Sequence, residues 1–294
     1  MKIPQMAIDY NKIEKFITSP STNICLKMRY LFLLRNDITL QSAKIICKTF
    51  NDTSVLLKHE AAYVLGQMKI QNSEISNKLV EVLKNVDEDE IVRHECAEAL
   101  GNYECSQVIP LLKEFADNDK SVAVRETSYL AYKKLESNIN EKSPFGSHDP
   151  ANAGLFSSIE EAGAVYLDMD ECLYKRYAAM FYLRNLNTKE AVDILGKGFT
   201  DKSALFKHEV AFVFGQMKNI HSVKYLSEAL HRLEEHGMVR HECAEALGAI
   251  GGDDAKKALE KHIHCTVDIV RESVEVALDL HDYGTSQDLE YCVA

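Results

Sequence analysis

The chain is written twice over. LLKHEAAYVLGQMK (56–69) returns as LFKHEVAFVFGQMK (205–218), and VRHECAEALG (92–101) returns unchanged at 239–248. Ahead of them LFLLRN (31–36) matches MFYLRN (180–185), and behind them VAVRETSYLA (122–131) matches DIVRESVEVA (268–277). Four matched segments in one order mean a duplicated half. A shorter period runs inside each half, with units opening near 24, 55, 90 and 121, then near 172, 204, 238 and 267. Each unit opens with apolar residues at i, i+3 or i+4, and i+7, the signature of an amphipathic helix. A second helical stretch often follows, as in ISNKLVEVLKNV (75–86) and VKYLSEALHRL (223–233). A helix pair cannot bury its apolar face alone, so such units must stack on their neighbours.

The pattern V-R-H-E-x-x-A-x-x-L-G, with Val92-Arg93, Ala97 and Leu100-Gly101, resembles HEAT repeats. The expected fold is therefore all-α: a HEAT-like α-solenoid of helical hairpins whose two duplicated halves form a superhelical clamp. Residues 1–136 make the N-terminal half and 162–283 the C-terminal half, about four repeats each. Between them 137–161, with Pro144, Gly146, Pro150 and Gly154, loses the helical period and reads as a linker. The tail 284–294 lacks a period and is expected to be loose.

Composition narrows the function. A net charge of -11 supplies no cation excess for phosphates, so nucleic acid is not an expected partner. It suits a cationic partner or substrate. The eight cysteines include no CxxC, which reads as reduced thiols of the cytosol. MKIPQMAIDYNKIEKF has no apolar signal core, and no apolar run approaches the ~20 residues of a membrane span. A cytoplasmic protein with no membrane partner is expected.

Four His-Glu pairs stand at equivalent points of the repeat: His59-Glu60, His94-Glu95, His208-Glu209 and His241-Glu242. Imidazole and carboxylate together suit borderline and hard redox metals. A single such pair at a helix start is more often polar capping, its Glu favoured by the helix dipole. The fourth unit of each half argues against that reading, since it carries Arg125-Glu126 and Arg271-Glu272 at the same point. The solenoid does not require His there. Equivalent positions of stacked repeats lie about 10 Å apart. His59 and His94 can then converge on one ion, and His208 and His241 on another. Two His and one carboxylate per half would form the facial set of oxygen-activating non-haem iron, and two such sets a dinuclear centre between the halves.

Other candidates are weaker. His262, His264 and Cys265 have no counterpart in the first half and read as a solvated helix end. GAIGGDD (248–254) follows a helix and reads as a C-cap and turn. Cys96 and Cys243 read as small packing residues, and Gly66 and Gly215 as points of close approach. A rival to the enzyme is a non-catalytic HEAT scaffold binding a basic protein. Another is a HEAT-like lyase or a metalloenzyme using manganese or zinc.

The motifs KHEAAYVLGQMK, VRHECAEALG, KHEVAFVFGQMK and GMVRHECAEALGAIGG, with PFGSHDP in the linker, resemble those of the deoxyhypusine hydroxylases. The likeness spans about 24 to 283. It implies a HEAT-repeat di-iron monooxygenase that uses O2 to hydroxylate deoxyhypusine on a translation factor, the last step of hypusine synthesis. Two Fe(2+) per chain would be held, one by His59, His94 and Glu95 and one by His208, His241 and Glu242. Glu60 and Glu209 would be catalytic and would face the substrate's aminobutyl chain, and Met238 would stand in the pocket wall. The family often has Pro-Met before V-R-H-E; here Glu90-Ile91 and Gly237-Met238 stand there, which relaxes the helix start.

Overall fold

A computed structural model of the chain describes residues 8–103, 106–137 and 143–285. Among them are sixteen α-helices in eight successive pairs. The pairs are α1 (Tyr10–Ile17) with α2 (Ile24–Asp37), α3 (Leu40–Lys48) with α4 (Val55–Met68), α5 (Ser73–Lys84) with α6 (Glu90–Asn102), and α7 (Ile109–Asn118) with α8 (Val122–Ser137). The second half repeats them as α9 (Ile159–Leu167) with α10 (Leu173–Leu186), α11 (Lys189–Gly196) with α12 (Ala204–Met217), α13 (Val223–His231) with α14 (Gly237–Ile250), and α15 (Asp253–Glu260) with α16 (Asp268–Thr285). Helices open where the repeat period places them. No helix among the described residues is long and apolar enough to cross a membrane. The segment read as a linker starts and ends in helix, since α8 runs to Ser137 and α9 starts at Ile159. From 286 on, the tail lies outside the described residues.

The even-numbered helices pack on one another in sequence, and the odd-numbered ones back them. The row also closes on itself: α8 meets α10 and α12, and α16 meets α2 and α4. The halves are thus joined at two seams, and the clamp is a ring. Local chemistry explains the joins. Ser54 and Ser203 cap α4 and α12, each hydroxyl accepting from the backbone N–H three residues on. The same hydroxyls donate across the seams, Ser54 to Glu272 and Ser203 to Glu126, both at 2.6 Å. The acid beside each fourth-unit arginine therefore has a structural job.

The V-R-H-E motif divides its labour. Val92 and Val239 are fully buried core. Arg93 and Arg240 reach back from α6 and α14 to carbonyls of the backing helices, Leu83 at 2.9 Å and Leu230 at 3.0 Å. His and Glu are left to face inward. Gly66 lets α4 and α6 cross closely, since a Cβ there would stand 2.9 Å from the Ala99 Cα. Gly215 does the same for α12 and α14, with 3.2 Å to the Ala246 Cα. Cys96 and Cys243 are fully buried in the core, and Gly251 and Gly252 form the turn after α14 at positive φ.

Candidate metal centre

All four His-Glu pairs are buried at the ring's centre. His94 and His241 are fully enclosed, and none of the eight residues is more than 6% exposed. Each pair sits in the first two turns of an even-numbered helix, so ring closure brings four helix starts together. Ring centroids lie 5.5 Å apart for His59 and His94 and 5.4 Å for His208 and His241. Across the halves two pairs are closer, 4.9 Å for His59–His241 and 5.3 Å for His94–His208, and one is a little wider, 5.9 Å for His59–His208.

Carboxylates interleave with the imidazoles. Glu60 Oε1 is 3.1 Å from His59 Nδ1. Glu95 Oε2 stands 3.4 Å from His59 Nε2, and Glu242 Oε2 stands 3.3 Å from His208 Nε2. Both contacts are in ion-pair range but off hydrogen-bond alignment. On the far side of the rings, His94 Nδ1 meets Thr127 Oγ1 at 3.5 Å and His241 Nδ1 meets Glu245 Oε1 at 3.4 Å. Those partners orient the rings and leave each Nε2 pointing inward.

The fit to a metal rests on those inward atoms. Nε2 of His59, His94, His208 and His241 are all buried without a hydrogen-bond partner, a costly arrangement for polar nitrogen. Four such atoms converging beside carboxylates are what a borderline cation would satisfy. Ligand atoms of His59, His94 and His208 lie within 4.8 Å of one another, as do those of His208, His241 and Glu242 and those of His94, Glu95 and Glu98. The expected second-half trio thus converges as one group, while His94 belongs to two groups, one that reaches across the halves to His208 and one within the first half with Glu95 and Glu98. Among the described residues these are the groups able to hold a metal; His262, His264 and Cys265 do not form one.

Electrostatics divide the histidines. Burial pushes the His94 and His241 imidazoles well below the usual histidine range, and the neighbouring histidines push them further. Both are therefore neutral, as ligation requires. Burial also lowers His59, but the carboxylates of Glu60 and Glu95 outweigh it and raise the ring well above that range. Burial raises Glu60, and it raises Glu209 well above the carboxylate range with help from Glu98 and Asp149. So many acids in one buried space favour holding protons until cations take their place.

A cavity of about 470 Å³ opens onto the cluster. Its walls include Glu60, Glu95, Glu209 and Glu242, the aromatic faces of Tyr63 and Phe212, and Gly215. Two further acids line it, Glu98 and Glu245. Burial, and then the charge of Glu95, push Glu98 up to about 8. Burial, and then Glu60 and Glu242, push Glu245 well above the ordinary range. The signal for these two was present as H-E-x-x-E, whose second acid lies one turn from the histidine on the same helix face. Met238, expected in the pocket wall, does not line the cavity. It is fully buried in the core, one turn before Glu242.

The sequence matches the HEAT repeats family over residues 43–135 and 192–279, and the PBS lyase HEAT-like repeat over 175–201. It is 40% identical over 292 residues to the deoxyhypusine hydroxylase of Danio rerio, covering 96% of this chain and 95% of that protein. Against the deoxyhypusine hydroxylase of Drosophila melanogaster the identity is 41%, covering 90% of this chain and 89% of that one. The structure of human deoxyhypusine hydroxylase in complex with glycerol matches with a TM-score of 0.90 at 38% identity, covering 94% of this chain and 96% of that chain.

Proposed function

The chain belongs to the deoxyhypusine hydroxylase family, and from that premise we propose that its central cluster holds two iron ions for the hydroxylation that completes hypusine. It is an enzyme of that family rather than a binding scaffold. In this reading His59, His94 and Glu95 serve one iron, and His208, His241 and Glu242 the other. The iron pair, when bound, would supply the activation of O2 needed to place a hydroxyl on an unactivated carbon. The substrate would be a cytoplasmic translation factor bearing deoxyhypusine.

The chain's own residues do the rest. Thr127 and Glu245 hold the His94 and His241 rings with Nε2 inward. Glu60 and Glu209, in the cavity wall, offer carboxylates to the cationic aminobutyl chain through charge-assisted hydrogen bonds. Glu98 keeps its proton at neutral pH and yields it once a cation enters. Tyr63 and Phe212, ring centroids 6.0 Å apart, narrow the approach and exclude water beside the reacting carbon.

The observation that carries this reading is the set of four buried Nε2 atoms, none with a hydrogen-bond partner, gathered beside carboxylates. Iron quantitation tests it. Wild-type protein is expected to carry about two irons per chain, and His94→Ala and His241→Ala fewer. Mass spectrometry should show one oxygen atom added to deoxyhypusine-bearing protein. A protein free of metal that adds no oxygen would end the proposal.

A further inference from the structure

The duplication makes the two halves near-copies, so a place where the copies differ points to something only one side does. Arg184 of α10 is fully buried. Its Nη1 and Nη2 donate to both carboxylate oxygens of Asp149, at 2.9 and 2.5 Å, and Nη1 also donates to Gln216 at 2.9 Å. The Phe181 ring lies beneath its guanidinium at 4.8 Å. Asp149 comes from the linker after α8, and neighbouring Phe145 to Ser147 line the cavity on that side.

Each partner has a twin 149 residues earlier: Arg35 for Arg184, Phe32 for Phe181 and Gln67 for Gln216. Arg35 stands over the Phe32 ring at 4.9 Å, reproducing the stacking. Arg35, Phe32 and Gln67 all line the cavity. Only the acid is missing: among the described residues no carboxylate lies within ion-pair distance of Arg35. Leu280, 52% exposed, lines the cavity with them.

A lone guanidinium over an acidic cavity works against a cationic substrate unless it has an anion of its own. We propose that Arg35, with Gln67, is the docking point for a carboxylate side chain on the protein substrate, which takes on Arg35 the place Asp149 takes on Arg184. The substrate's cation then enters the acidic floor while an acid of the same protein is held at the rim. Two opposite charges at a fixed separation set the register of the incoming chain. The fork of Arg suits such two-point carboxylate recognition.

This inference rests on the hydroxylase reading, and the test separates the two. Steady-state hydroxylation of the deoxyhypusine-bearing protein is measured with wild type and Arg35→Gln. The variant should raise KM about tenfold, with kcat and iron content unchanged. Its KM should also respond less to added salt than that of wild type. Arg35→Glu should raise KM further. The tail beyond 285 carries Asp288 and Glu290, so Asp288→Asn/Glu290→Gln in the full chain is the control, expected to leave KM within about twofold. An unchanged KM in Arg35→Gln overturns the docking site. A shifted KM in the tail variant overturns it too, since the chain's own acids would then be the occupant. A wild type that hydroxylates nothing overturns the functional reading and this inference with it.

Discussion

Replacing Ser203 by alanine removes two contacts with one atom. The hydroxyl caps α12, accepting from the Phe206 N–H at 2.9 Å, and losing such a cap costs about 1 kcal/mol. It also donates to Glu126 at 2.6 Å across the seam between the halves. Burial already raises the Glu126 carboxyl, and this hydrogen bond works the other way. Stripped of its donor, the acid costs about 1–2 kcal/mol more, limited because it can take up a proton instead of staying charged. Ser203→Ala should therefore destabilise the ring by about 2–3 kcal/mol in equilibrium urea unfolding. The duplication supplies a matched control. Ser54 accepts from the Leu57 N–H at 3.0 Å and donates to Glu272 at 2.6 Å, so Ser54→Ala should cost a similar amount. A double-mutant cycle of Ser203→Ala with Glu126→Gln should show coupling of about 1 kcal/mol. Full additivity, or a single-variant cost below about 0.5 kcal/mol, would show that the seam is held by apolar packing and not by these latches.

Ile38 ends α2 in the left-handed region at φ 46° and is 64% exposed, while its twin Asn187 ends α10 at φ 47°. Ile38→Asn should stabilise the fold by about 0.5–1 kcal/mol, because Asn tolerates that conformation and a β-branched residue does not; a lower melting temperature would contradict this. Glu245→Gln should loosen iron about tenfold in chelator competition by weakening the hold on His241 Nδ1, whereas Glu98→Gln should do less, since Thr127 holds His94; equal effects would count against the orienting role. Glu90, the first residue of α6, and His236, the cap of α14, meet at 3.0 Å between the halves. The hydrogen bond to His236 lowers Glu90 to about 2, and the same contact raises His236 above the usual histidine range. The acid's share of stability is present above its ordinary range near 4.5 and lost as pH falls toward about 2. The imidazole's share is full below its ordinary 6.5 and lost as pH rises through its raised value. The stability gap between wild type and Glu90→Gln should thus peak near pH ~5.5 at under about 1 kcal/mol, both groups being partly exposed, and narrow by pH ~8; a gap that widens with pH would break the assignment.

Much of this fold is legible in the sequence because the repeat supplies its own phase. Expected unit starts near 24, 55, 172 and 204 coincide with helices opening at Ile24, Val55, Leu173 and Ala204. The His-Glu pairs were readable for the same reason, since a residue type at equivalent points of stacked helices must share a surface. Closure into a ring was not readable. It depends on a small rotation per repeat, accumulated over eight helix pairs, and no single residue encodes that. Met238 shows the limit at finer scale: it shares a helix face with Glu242, but depth along that face decides between core and cavity. Asp149 was hidden differently, in a segment without period whose partner Arg184 lies 35 residues on.

Closure is also what makes the centre possible. The shortest distance between histidine rings of the cluster, 4.9 Å, joins His59 of one half to His241 of the other, shorter than either pairing within a half. Neither half alone would bury these groups or bring together the nitrogens that lack a hydrogen bond. A half on its own would leave its two imidazoles and its acids facing water, where the attraction between a cation and each carboxylate is far weaker. Burial strengthens every one of those attractions, but it is tolerable only if a cation arrives to meet the acids. Ring closure and cation binding are thus two sides of one balance: latches such as Ser54–Glu272 and Ser203–Glu126 hold shut an enclosure whose contents repel one another until they are occupied.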